Sequence, residues 1–211
     1  KDEFFSIASH ELRTPLTAIK GNTSMILDFF GKELKNPQLK EMIDDVHESS
    51  IRLIEIVNDF LDTSRLELNK MEFKKDILDL SQIIPDVIKQ YQVTGSRKKL
   101  YIHFESTEKI PSAVGDQDRF RQVLINLIGN GLKFTKEGGV TVSLKAENNF
   151  VKILVSDTGS GILKKKKKLL FRKFQQAESN ILTRDVVKGT GLGLYISKML
   201  VEGMGGKIAL E

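Results

Sequence analysis

Residues 10–30 read HELRTPLTAIKGNTSMILDFF. Leu12, Leu16, Ile19, Thr23, Ile26 and Phe30 alternate at spacings of four and three, the seam of a helix that packs along a partner in coiled-coil fashion. With Leu12 at d and Leu16 at a, His10 takes position b, Glu11 position c and Thr14 position f. All three lie off the seam, and His10 and Thr14 stand one turn apart on the same surface. Pro15 falls inside the run, where it should kink the helix and remove one backbone hydrogen bond. A plain surface histidine is the bland reading; a costly proline beside an exposed His-Glu pair argues for more. If Glu11 accepts the proton of one ring nitrogen, the other becomes a better nucleophile. His10 could then take a phosphoryl group, provided a nucleotide site exists elsewhere in the chain.

Working outward, GKELKNP (31–37) breaks the helix with Gly31 and Pro37. A second seam follows at Leu39, Ile43, Val46, Ser50, Leu53, Val57, Phe60 and Ser64. The expectation is an antiparallel helical hairpin. Ile51, Ile54 and Leu61 widen the apolar stripe beyond what one partner helix covers. Pairing with a second copy would bury both stripes in a four-helix bundle, so a homodimer is expected.

After Met71 the period changes. LYIHFE (100–105), VTVSLK (140–145) and FVKILVSD (150–157) read as strands, and helical patterns lie near 81–94, 118–135 and 191–203. Strands covered on one face by helices form a mixed α/β layer structure, so the whole chain is α+β. The boundary falls near 69–74, giving residues 1–70 and 71–211 as two domains.

The 211 residues contain no cysteine, which excludes disulfides and thiolate metal sites. The apolar runs fall short of the roughly 18 residues a membrane span needs, and no signal peptide opens the chain, so a cytoplasmic fragment without membrane contact is expected. The net charge of +5 is matched by the five lysines of Lys164–Lys168 alone. No aromatic-rich strand or nucleic-acid reading motif accompanies them, so the run reads as a solvated segment and no nucleic-acid partner is expected.

Three pieces of the second domain suggest a nucleotide site. In RFRQVLINLIGNGLKFT (119–135), Phe120, Val123, Leu124, Leu127, Ile128 and Phe134 form one helix face, and Arg119, Asn126, Asn130 and Lys133 share the other. Asparagine is a poor helix-interior residue. Two of them one turn apart, followed by lysine, suit an oxygen-ligated Mg²⁺ with its phosphates. VSDTGSGI (155–162) ends a strand in Asp157, which can accept from an adenine amino group while Gly159 and Gly161 let backbone approach the base. GTGLGLYISKML (189–200) is a glycine-rich turn opening a helix, where N–H groups face a phosphate. It lacks the GK[ST] ending of a P-loop and the preceding strand of a Rossmann fingerprint. Each piece alone has an ordinary reading: a polar face, a turn, a helix start.

Together with LFRKFQQ (170–176), these stretches and SHELRTPL resemble, in order, the motif boxes of the sensor histidine kinases of two-component signalling. The resemblance implies a dimerisation and phosphotransfer hairpin followed by an ATP-binding α/β sandwich shared with gyrase-type ATPases. It implies that His10 is the phosphoacceptor, Glu11 its activating base, and Thr14 the residue orienting water for dephosphorylation of the partner. Asn130 would be the Mg²⁺ ligand, Asn126 its support, and Lys133 a neighbour of the phosphates. Asp157, Gly159 and Gly161 would hold adenine. Gly189, Thr190, Gly191, Leu192 and Gly193 would cradle the triphosphate. Residues 163–188 would be the ATP lid, anchored by Phe171 and Phe174. The implied partner is the receiver domain of a response regulator, docking near exposed residues such as Lys20 and Asn22, and an N-terminal sensory input region is expected in the whole protein.

The chain departs from the pattern at Gly131, where alanine is usual and glycine should cost a helix about 1 kcal/mol. It departs also at Leu163, where proline is common, at the lysine run, and at the GGKIALE ending, short of the fold's usual last strands. Those departures keep a second reading open, a dimeric docking scaffold with a decayed nucleotide site. Hydrolysis as the main activity would need a carboxylate where Asn126 stands.

Overall fold

The computed structural model describes residues 2–106, 112–167, 169–175 and 190–211, with the side chains of residues 2–10 and of Lys164 outside that description. The chain divides into two compact units, Lys1–Met71 and Glu72–Glu211.

The first unit is a hairpin of α1 (Asp2–Phe30), which continues through Pro15, and α2 (Pro37–Glu67). Asn36 starts α2 by accepting hydrogen bonds from the backbone N–H groups of Gln38 (2.9 Å) and Leu39 (3.4 Å), and Pro37 fills the first helical position, where no N–H is needed. Side-chain hydrogen bonds link the two helices. Arg13 Nη2 donates to Asn58 Oδ1 at 2.7 Å. Thr23 Oγ1 lies 2.9 Å from His47 Nδ1 and also donates to the Ile19 carbonyl at 2.8 Å. A hydroxyl has one hydrogen and a carbonyl only accepts, so the His47 ring donates and its Nδ1 carries the proton.

The expected seam splits into two stripes. On α2, Ile43, Ser50, Val57 and Ser64 are buried or half-buried, whereas Leu39, Val46, Leu53 and Phe60, each offset by three or four residues, are exposed. On α1, Leu16, Thr23 and Ile26 are covered while Leu12, Ile19 and Phe30 are exposed. On α2 one heptad position faces the hairpin partner and the other does not; α1 follows the same rule as far as Thr23, after which Ile26 and Phe30 reverse it.

The second unit contains α3 (Leu80–Lys98), β2 (Tyr101–Ser106), α4 (Gln117–Phe134), β4 (Gly139–Glu147), β5 (Phe150–Asp157), the single turn α5 (Lys164–Lys167) and α6 (Gly193–Gly203). It also contains β1 (Asp76–Leu78) paired antiparallel with β3 (Ala113–Gly115), strands too short for alternation to reveal. The main sheet has the order β2-β4-β5, with β2 parallel to β4 and β4 antiparallel to β5. A parallel pair needs a crossover, and the β2-to-β4 connection carries α4 across the sheet. Ile84, Val87, Leu124, Ile128 and Leu132 from α3 and α4 pack with Val140, Val142 and Leu144 of β4 in one core. The expected helical cover on one sheet face is therefore present.

Two expectations for α4 need correction. Phe134 is not on the buried face: it is 54% exposed, because the helix ends there and Thr135 turns extended. Gly131 is not merely a propensity defect, since a Cβ there would stand 2.7 Å from Cγ2 of fully buried Val140. The glycine lets α4 lie close on β4.

Asp116, 4% exposed, caps α4 by accepting from the N–H groups of Asp118 and Arg119 at 3.1 Å each, and it also accepts from the Lys74 N–H at 3.0 Å. Burial is the largest single influence and favours protonation, but the three N–H donors and the Lys74 charge outweigh it and hold the carboxyl below its ordinary value. The stability this ionised cap supplies is present above the ordinary aspartate pKa of 3.8 and is lost as pH falls through the lower folded value. Asp116→Ala should cost about 1–3 kcal/mol at pH 7. Urea unfolding should show the gap between wild type and variant shrinking as the acid limb is entered.

Candidate functional site

The second unit brings its three sequence pieces together around α4. Asn126, Asn130 and Lys133 recur at helical spacing, and Asn130 Nδ2 donates to Asn126 Oδ1 at 3.2 Å. Asn126 Nδ2 in turn donates to Ser197 Oγ of α6 at 2.8 Å. Gly193, the first residue of α6, lies so close to this amide that a Cβ would collide with Asn126 Oδ1 and stand 3.0 Å from Cγ. Only glycine admits this approach, and it ties the glycine turn to the asparagine helix.

The other end of α4 meets β5. A Cβ at Gly131 would also come within 3.4 Å of Asp157 Cβ, and one at Gly159 would stand 2.7 Å from the Phe134 carbonyl oxygen. Asp157 Oδ1 accepts the Gly159 N–H at 2.9 Å, closing an Asx turn, and the described residues place no hydrogen-bond donor on Oδ2. Gly161 has φ +69° with open space in the Cβ direction. Thr158 bridges this turn to the start of β4, its Oγ1 accepting from the Gly139 N–H at 2.9 Å and donating to the Glu137 carbonyl at 2.8 Å.

In the glycine turn, Thr190 Oγ1 accepts the Leu192 N–H at 3.1 Å, and Leu192 is buried. Gly191 (φ +72°) seats against the backbone of Phe174, where a Cβ would approach the carbonyl carbon to 2.9 Å. Phe174 itself has φ +58° and an exposed ring, while Phe171 is half-buried. Lys173 adds a second tie, with Nζ 5.6 Å from the Tyr195 ring centroid. The described part of the expected lid therefore rests on the start of α6. Gly189 and residues 176–188 lie outside the described residues.

Among the described residues, no group of three or more histidine or acidic side chains could hold a metal. The fit for Mg²⁺ rests instead on one hard oxygen. Asn130 commits its NH2 to Asn126, and the described residues place no donor on its Oδ1. A single amide oxygen suits a Mg²⁺ that takes its remaining ligands from phosphate and water.

In the first unit, His10 lies on α1 with its side chain outside the described residues, and Glu11 and Thr14 are exposed on the same helix. Sequence reasoning missed Ser197, whose signal is a hydroxyl on the otherwise apolar buried face of α6. It also missed the exposed ring of Phe134, a residue whose backbone carbonyl lies against Gly159, with Lys133 Nζ 5.4 Å from the ring centroid.

Residues 1–69 match the family described as His Kinase A (phospho-acceptor) domain, and residues 115–211 match Histidine kinase-, DNA gyrase B-, and HSP90-like ATPase. The chain belongs to the sensor histidine kinases of two-component signalling. Drug sensory protein A of Synechocystis is 36% identical to this histidine kinase over 95% of the chain, and circadian input-output histidine kinase CikA of Synechococcus elongatus is 36% identical over all of it. Signal transduction histidine-protein kinase BarA of Escherichia coli is 33% identical over the full chain. The chain spans 31%, 28% and 23% of these three relatives. Full-length ShkA, crystallised with AMPPNP, superposes with a TM-score of 0.79 at 28% identity, over 99% of this chain and 42% of that one. Histidine kinase ThkA in its complex with response regulator protein TrrA shares the fold, with a TM-score of 0.64 at 24% identity, over 99% of this chain and 57% of that one.

The contact at Gly193 leads to a direct expectation. Gly193→Ala should push the Asn126 amide away from Ser197 and weaken Mg²⁺–ATP binding about tenfold. Calorimetric titration checks this, with the melting temperature separating local displacement from unfolding.

Proposed function

We propose that this chain is the kinase core of a sensor, using ATP to phosphorylate His10 and passing the phosphoryl group to an aspartate of a response-regulator receiver domain. The observation that carries the reading is the gathering of Asn130, Asp157 and the glycine turn into one unit of a chain whose other unit bears the His-Glu pair. Residues 1–70 act as the dimerisation and phosphotransfer domain, and residues 71–211 as the catalytic ATP-binding domain.

Adenine donates its amino group to Asp157 Oδ2 and lies against Gly159 and Gly161, with the Phe134 ring available to stack. The triphosphate extends toward Lys133 and residues 189–193, where N–H groups of the glycine turn meet phosphate oxygens. Asn130 Oδ1 would hold Mg²⁺, whose charge would neutralise that of the phosphates. Asn126 supports Asn130. Phe171 and Phe174 anchor the lid of residues 163–188, whose closure excludes water. A lone pair of the His10 imidazole attacks the γ-phosphorus as the bond to the β-phosphate oxygen breaks and ADP leaves, and Glu11 takes the ring proton. Because His10 and the nucleotide belong to different units, transfer requires the two to meet during the reaction. Catalysis of this kind is mainly positioning and charge neutralisation.

The exposed stripe Leu39, Val46, Leu53 and Phe60 supports a homodimer, since a helix in a four-helix bundle touches two neighbours. ThkA was crystallised with the regulator TrrA, a precedent within the fold for the partner we propose. Exposed Lys20 and Asn22 on α1 lie where such a partner would dock. Thr14, one turn beyond His10, is proposed to orient water for dephosphorylating the regulator.

Incubation with γ-labelled ATP should give an acid-labile, base-stable phosphoprotein with wild type and none with His10→Ala; label persisting in the variant rules out this acceptor. Sedimentation equilibrium should find a dimer that Val46→Glu with Leu53→Glu converts to monomer.

A further inference from the structure

Ser197 is 1% exposed, on the face of α6 that also buries Ile196 and Leu200. A hydroxyl on such a face is costly unless it is hydrogen-bonded. Its bond goes to the nucleotide machinery: Ser197 Oγ accepts Asn126 Nδ2 at 2.8 Å, and Asn126 Oδ1 accepts Asn130 Nδ2 at 3.2 Å.

A primary amide donates on one side and accepts on the other. Once Ser197 takes the NH2 of Asn126, that side chain offers oxygen to Asn130, and Asn130 must spend its own NH2 there. Asn130 is then left presenting an oxygen. Were the relay reversed, with the serine hydroxyl donating to Asn126 and the Asn126 NH2 donating to Asn130, Asn130 would present an NH2, which repels a cation. Gly193 favours the first polarity. Its hydrogen in the Cβ direction points at Asn126 Oδ1, a weak C–H···O contact that an NH2 in the same place would lose.

We propose that Ser197 is a positioning residue: by accepting the Asn126 NH2 it holds the Ser197–Asn126–Asn130 amide relay in the polarity that Gly193 favours, turning the Asn130 oxygen toward a divalent cation. This rests on the reading of the second unit as a Mg²⁺–ATP site and adds a control point separated from the cation by two residues, Asn126 and Asn130. Ser197→Ala leaves the Asn126 NH2 without its acceptor and frees both amides to flip; Ser197→Thr keeps the hydroxyl.

The test uses the full chain and two readouts. In calorimetric ATP titrations at graded Mg²⁺, Ser197→Ala should need about tenfold more Mg²⁺ for half-maximal binding, while affinity in EDTA stays within about twofold of wild type. Ser197→Thr should restore the wild-type Mg²⁺ requirement. In ¹⁵N-edited spectra of nucleotide-free protein, the side-chain NH2 signals of both Asn126 and Asn130 should move in Ser197→Ala and hold in Ser197→Thr. A wild-type chain that fails to bind ATP with Mg²⁺ overturns the underlying nucleotide reading and the relay's purpose with it. A wild type that binds, beside a Ser197→Ala chain with unchanged Mg²⁺ requirement or with equal losses in Mg²⁺ and EDTA, overturns the relay alone.

Discussion

The nucleotide face of this protein depends on how closely α6 comes to α4. Gly193 supplies the gap, Asn126 fills it, and Ser197 fixes the amide that fills it. Without that approach the glycine turn and the asparagine face would be two unrelated surfaces. The same device recurs at the other end of α4, where Gly131 lets the helix settle on Val140 and Gly159 lets the Asp157 turn pass the Phe134 carbonyl. Close backbone approach, more than any single strong bond, assembles the site. Such contacts tolerate no added atoms, which explains why the chain spends glycine inside and beside its helices despite the propensity cost.

Much of this was legible in the sequence because long periodic elements announce themselves. The two hairpin helices, α4, α6 and the strands β4 and β5 follow from repeated apolar spacing over many residues, and the ordered motif boxes pointed to the family. The strands β1 and β3 were missed because three residues carry no measurable period. Phe134 was misplaced because helical spacing assigns a face but does not say that the helix ends at that residue. The split of the α2 stripe into covered Ile43, Ser50, Val57 and exposed Leu39, Val46, Leu53 was also hidden, since both sets belong to one seam in one dimension.

Within the site, what the sequence left out is what depends on orientation. Asn126 and Asn130 could be named from their spacing, but not which amide atom each offers, because that depends on Gly193 and Ser197, far along the chain. Asp157 could be named, yet the use of one of its oxygens to close an Asx turn, with no donor among the described residues on the other, appears only once Gly159 is in place. Hydrogen-bond polarity is a property of the folded neighbourhood and has no signature in residue spacing.

The central claim is that a divalent cation bound with ATP is held by the Asn130 oxygen while Asp157 holds the base. Crystals of the chain with a non-hydrolysable ATP analogue and Mn²⁺ in place of Mg²⁺ would test it by anomalous scattering. The account requires an anomalous peak about 2.0–2.2 Å from Asn130 Oδ1, bridged to phosphate oxygens, with the adenine amino group on Asp157 Oδ2. A metal peak away from Asn130, or a nucleotide seated without contact to Asp157 and the 190–193 turn, would contradict it.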